Sequence, residues 1–88
     1  MTSFTREELS LLHKLWIHTC FGKGHMLVDN LVKGFPSHLK GHLKDDVESL
    51  VRKNSLVKKP TRHGYAVYIN VEHRMIIERE LRKHFSLI

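Results

Sequence analysis

After Asn54 the hydrophobic pattern changes its period from 3.6 residues to 2, and a chain of 88 residues has to accommodate both periods in one core. Before the switch, Leu39, Leu43, Val47, Leu50 and Val51 form one helical stripe. After it, Leu56-Val57-Lys58-Lys59 reads as a short strand. Tyr65-Ala66-Val67-Tyr68-Ile69 reads as a second, rich in β-branched and aromatic residues. Pro60-Thr61-Arg62-His63-Gly64 between them reads as a five-residue hairpin loop closed by glycine. A lone two-stranded hairpin is marginal in water, so this one has to lean on helices.

Three further helices supply that support. Thr5 and Glu8 have the spacing of a capping box, with Phe4 and Leu9 placed as a hydrophobic staple. Leu9, Leu12, Leu15, Trp16 and Thr19 continue at helical spacing, and Gly22-Lys23-Gly24 marks the stop, which predicts a helix over about 5–20. A shorter helix is expected over 25–33, with Leu27, Val28, Leu31 and Val32 inward and Gly34 and Pro36 ending it. The striped helix spans 37–54. Its start is either Ser37, a candidate N-cap, or Lys40, because Gly41 is a poor first-turn residue. Glu48 and Arg52 stand at i,i+4, and Asn54 is a natural left-handed terminator. Asn70 caps a last helix over about 71–85, with Met75, Ile77, Leu81 and Phe85 on one side and Ile76 on another. The expected architecture is α+β and mostly helical, in a single domain over 1–88: a three-helix core, a two-stranded hairpin over 56–69 and a C-terminal helix.

The charge narrows the partner. Fifteen basic against nine acidic residues leave a formal +6, which favours an anionic partner. The excess sits in the middle of the chain: Lys33, Lys40, Lys44, Arg52, Lys53, Lys58, Lys59 and Arg62 face only Asp45, Asp46 and Glu48. Cys20 is the one cysteine and cannot form an internal disulfide. With no leader-like start and no apolar run of membrane length, a soluble cytoplasmic protein is expected. No enzymatic motif is present, and no cofactor is expected. His38 and His42 stand at i,i+4, and His18, Cys20 and His25 form a second loose group, but neither supplies three local ligands, so no metal site is assigned.

The run Val47-Glu48-Ser49-Leu50-Val51-Arg52-Lys53-Asn54-Ser55-Leu56-Val57-Lys58-Lys59, followed by Arg62-His63-Gly64-Tyr65-Ala66-Val67-Tyr68-Ile69, resembles a winged helix-turn-helix domain of the small archaeal and bacterial transcription-regulator type. The order of elements resembles that family over about residues 5–85. The resemblance implies that the 37–54 helix is a recognition helix entering the major groove of double-stranded DNA, with the hairpin as a wing on the phosphates. It also implies a homodimer through residues 71–88, where Met75, Ile76 and Ile88 are more than a monomer core needs.

The residues that would touch nucleic acid on this reading are Ser37, His38, Lys40, His42 and Lys44, which lie off the apolar stripe, and Lys58, Lys59, Thr61, Arg62 and His63 at the wing. The wing is the basic cluster without acidic sequence neighbours. Lys58 and Lys59 have a second reading as guards of an exposed sheet edge. Asp45, Asp46 and Glu48 interrupt the helix. They either complement a helix N-terminus or mark a face that binds protein. The rival expectations are therefore a protein-interaction module with an acidic or other protein partner, and RNA binding, for which few aromatics are available as stacking platforms.

Overall fold

The computed structural model describes residues 3–87. Four α-helices, α1 (Arg6–Ile17), α2 (Val28–Lys33), α3 (Lys40–Arg52) and α4 (Arg74–His84), surround a three-stranded antiparallel sheet of β1 (Met26–Leu27), β2 (Leu56–Thr61) and β3 (Gly64–Ile69). The strand order is β1-β3-β2. Short 3-10 turns at Ser37–Leu39 and Val71–His73 lead into α3 and α4. The mostly helical α+β expectation therefore holds, and α3 begins regularly at Lys40.

The capping box forms: Thr5 N–H donates to Glu8 Oε1 at 2.8 Å, and Glu8 N–H donates to Thr5 Oγ1 at 3.1 Å. The core joins Leu11, Leu12 and Leu15 of α1, Leu43, Val47 and Leu50 of α3, Ile77 and Leu81 of α4, and Leu56, Val67 and Ile69 of the sheet. Trp16 and Phe85 pack half-buried against it.

Both long N-terminal helices end alike. After α1, Cys20 N–H bonds Leu15 C=O and Thr19 N–H bonds Trp16 C=O. After α3, Ser55 N–H bonds Leu50 C=O and Asn54 N–H bonds Val51 C=O. These are paired Schellman closures, and each needs a left-handed residue. Asn54 (φ 61°) fills that place naturally. Thr19 (φ 52°) fills it at a cost, because a β-branched side chain crowds the left-handed backbone. Thr19→Gly is expected to stabilise the domain by about 0.5–1 kcal/mol, the strain relieved exceeding glycine's entropic cost. A urea midpoint that stays put or falls would count against this account.

Four expectations need correcting. The first helix stops at Ile17 rather than 20, because Thr19 closes it ahead of the glycines. The 25–33 segment begins as strand, since Met26 pairs with Val67 and Leu27 with Ala66, so the sheet has three strands. The last helix starts with a 3-10 turn and ends at His84, and Met75 is 80% exposed rather than part of the core. The hairpin loop has two residues, Arg62 and His63, because Thr61 pairs with Gly64 and Pro60 with Tyr65. Proline lacks an N–H but is tolerated on an edge strand, and β2 is one. Gly64 takes φ 122°, which suits a residue without Cβ. Ile88 lies outside the described residues.

Candidate nucleic-acid interface

The candidate residues lie on the α2–α3 connection, the exposed side of α3 and the β2–β3 hairpin. Leu31 and Val32 anchor α2, and Leu43, Val47 and Leu50 anchor α3. That anchoring turns Ser37, His38, Lys40, His42, Lys44 and Asp45 outward, where all are exposed. Between α3 and the hairpin lies a shallow cleft of about 380 Å³, floored by Leu27, Val28 and Tyr65. Its charged walls are Asp29, Lys44, Asp45, Glu48, Lys58 and His63.

The lysines of this cleft are paired. Lys44 Nζ lies 3.1 Å from Asp29 Oδ1. Lys58 Nζ lies 2.7 Å from Glu48 Oε1 and 4.6 Å from the Tyr65 ring centre. Glu48 thus reaches across to the sheet rather than back to Arg52, and Lys58 has an acidic neighbour that its sequence neighbourhood did not reveal. The strand alternation explains why. Leu56, Lys58 and Pro60 pair with Ile69, Val67 and Tyr65 on the face turned to α3. Val57, Lys59 and Thr61 pair with Tyr68, Ala66 and Gly64 on the other face. The two adjacent lysines therefore separate, and Lys59 has no carboxylate within 4.0 Å among the described residues.

The remaining sites divide similarly. Lys40 and Arg62 are exposed and have no ion pair among the described residues. His42 Nε2 stands 3.6 Å from Asp46 Oδ2. Thr61 is used internally: its hydroxyl donates to Gly64 C=O and accepts from His63 N–H at 3.2 Å, bracing the loop that presents Arg62 and His63. No family model matches the chain, and no curated protein or solved structure matches it either. No helix among the described residues is long and apolar enough to cross a membrane.

Between α1 and the end of α3 lies a polar cluster that the sequence did not disclose. Glu8 is 1% exposed. Its carboxylate accepts from Lys53 Nζ at 2.8 and 2.9 Å and from Ser49 Oγ at 2.9 Å. Burial pushes the Glu8 pKa up, but the Lys53, Thr5 and Ser49 hydrogen bonds and the Lys53 charge outweigh it and hold it below the usual value. One turn before Ser49, Asp46 has one buried carboxylate oxygen, Oδ2, without a hydrogen-bond partner. Burial raises its pKa; His42 opposes that, and the charges of Glu8, Glu7 and Asp45 add to it. Cys20 is buried, which raises its thiol pKa and suits a core role.

Proposed function

We propose that the chain is a winged helix-turn-helix domain that binds double-stranded DNA in a transcription-regulatory role. The first turns of α3 enter the major groove, and the β2–β3 hairpin is the wing. The carrying observation is the placement of the unpaired cations. Lys40 opens α3 and Arg62 lies at the tip of the hairpin, so exposed cations without an ion pair among the described residues stand on both elements that border the cleft, while Lys59 extends from the sheet face turned away from α3. A phosphate backbone runs along both sides of a groove, so cations carried on both elements fit it. Ser37, His38 and His42 add donors beside Lys40, at the helix end that meets base edges in helix-turn-helix proteins. The bare helix surface at Gly41, with open space around it, permits close approach.

Fluorescence anisotropy with a mixed-sequence duplex, titrated against salt, tests the reading. Binding is expected to weaken as salt rises, and Lys40→Ala, Lys59→Ala and Arg62→Ala are each expected to flatten the log–log slope by up to about 0.9. Absence of binding even at low salt would overturn it. Competition by duplex RNA as strong as by DNA would point to RNA instead.

A second reading, a protein-docking module, is favoured by the carboxylates of Asp29, Asp45 and Glu48 in the cleft, where Asp45 has no cationic partner among the described residues. A partner with basic side chains fits such walls. A protein partner competing with no nucleic acid, and lost on changing those carboxylates, would favour it.

A further inference from the structure

Where the end of α1 meets α4, a shallow cleft of about 430 Å³ opens beside Trp16, Ile17 and Phe21. Its other side is α4, through Arg74, Glu78 and Arg82, which follow at four-residue spacing along one flank of that helix. The left-handed turn at Thr19 closes α1, and Phe21 just beyond it meets Trp16 edge to face, with ring centres 5.2 Å apart. Arg74 Cζ lies over both rings, 4.8 Å from the centre of Phe21 and 5.4 Å from that of Trp16. Such stacking orients the guanidinium plane and leaves its N–H fork free at the rim. Arg74 is exposed and has no ion pair among the described residues, whereas Arg82 is taken by Glu78 at 3.3 Å. Ile17, at the lip, is 58% exposed.

We propose that this cleft docks a partner protein through a short acidic segment, with one carboxylate on the Arg74 fork and an adjacent apolar side chain against Ile17 and Trp16. Charge complementarity selects that occupant. Two guanidinium groups and one carboxylate line the cleft, so a positive charge is left over, and it is Arg74. A carboxylate matches the planar fork with two parallel hydrogen bonds. An arginine already held on two rings also loses little side-chain freedom on pairing. A basic segment would set like charge against Arg74, and a wholly apolar one would cover it unpaired; both are costly. Arginine and tryptophan amid apolar surface are the residue types that anchor protein interfaces. None of the lining residues belongs to α3 or to the hairpin, so this docking stands apart from the duplex-binding proposal.

An arrayed library of short random peptides lacking tryptophan, probed with the full chain, tests the proposal. Trp16 is the sole tryptophan, so its emission then reports whether a selected peptide sits in this cleft. Binders are expected to carry Asp or Glu beside Leu, Ile or Phe, with Kd of about 10–100 µM and a change in Trp16 emission. Arg74→Gln is expected to weaken them about tenfold, and Arg74→Lys, which keeps the charge but not the fork, to recover only part. Exchanging the peptide's carboxylate for its amide reads the same contact without altering the chain, and is also expected to cost about tenfold. Lys33→Gln removes the same charge at an exposed position outside the cleft and is expected to change binding by less than about twofold, which separates docking from general attraction to a +6 chain. Circular dichroism melts confirm that each variant is folded. An array without binders at about 0.1 mM protein overturns the proposal. So do binders without a carboxylate preference, binders indifferent to Arg74→Gln, and binders that leave Trp16 emission unchanged. Emission that shifts with protein concentration alone overturns it too, by placing a second copy of the chain in the cleft.

Discussion

Lys53→Met is expected to destabilise the domain by about 2–3 kcal/mol at neutral pH, and acidification is expected to recover part of the loss. Glu8 is enclosed, with its side chain 2% exposed, while Lys53 keeps 33% of its own side chain in solvent. Removing one partner of a fully buried pair costs about 3–5 kcal/mol, because the survivor is a desolvated charge; the partly wet lysine lowers that figure here. Methionine retains the apolar stem that passes Phe4, whose ring centre is 5.6 Å from Lys53 Nζ. The loss is thus electrostatic rather than a cavity.

The pH dependence should reverse sign between the two proteins. In the wild type, the Glu8 pKa is held down in the folded state, so its contribution is present above the unfolded value and fades as pH falls through the folded one. In the variant, both influences of Lys53 are gone, and burial, the largest single cause, is expected to outweigh the remaining Thr5 and Ser49 hydrogen bonds and lift the folded pKa above the unfolded value. The folded state then binds the proton more tightly, and stability grows as pH falls from about 7 toward 4. Urea unfolding at several pH values reads both slopes. Parallel slopes would mean that Glu8 is better solvated than this geometry implies. Adding Glu8→Gln to Lys53→Met should return most of the loss, since a neutral amide is far cheaper to bury than a lone carboxylate.

That cluster also shows where sequence reading runs out. Thr5 and Glu8 were legible as a capping box because both members lie within one turn. The same carboxylate's bonds to Ser49 and Lys53 span more than forty residues, and no local pattern encodes them. The α3 stripe was legible through its period, and Asn54 through its tolerance of left-handed backbone. Thr19, in the same role, was not legible: its side chain disfavours that conformation, and tertiary packing overrides the preference. A two-residue strand such as Met26–Leu27 is too short to show a period, so β1 is visible only through its partner β3. Pro60 misled in the other direction. It reads as a loop residue unless one knows that β2 is an edge strand. At the candidate interface, residue types and their exposure were legible, but their charge state in context was not. The Lys58–Glu48 and Lys44–Asp29 pairs come from elements brought together only by folding.

Those two pairs set the last expectation, which rests on the DNA-binding proposal. Asp29→Asn with Glu48→Gln is expected to tighten binding to a mixed-sequence duplex by up to about 60-fold at 0.1 M salt. Both substitutions keep shape and remove charge. Each pair is at least partly exposed, so losing it costs at most about 1 kcal/mol of stability and the variant folds. Lys44 and Lys58 are then free to neutralise phosphates. Each additional phosphate contact steepens the salt slope by about 0.9, so two contacts multiply affinity by about 10^1.8 at that salt concentration. The steeper slope separates true phosphate contact from a general gain in positive charge, which shifts affinity with less change in slope. On that proposal, the same carboxylates act in the wild type as a brake on nonspecific binding. Asp45, lacking a cation, is tolerated in a groove only where it accepts from cytosine N4 or turns away from the bases. If affinity and slope both stay unchanged in the double variant, the cleft does not face nucleic acid. Concurrent loss of a protein partner would then assign these carboxylates to docking instead.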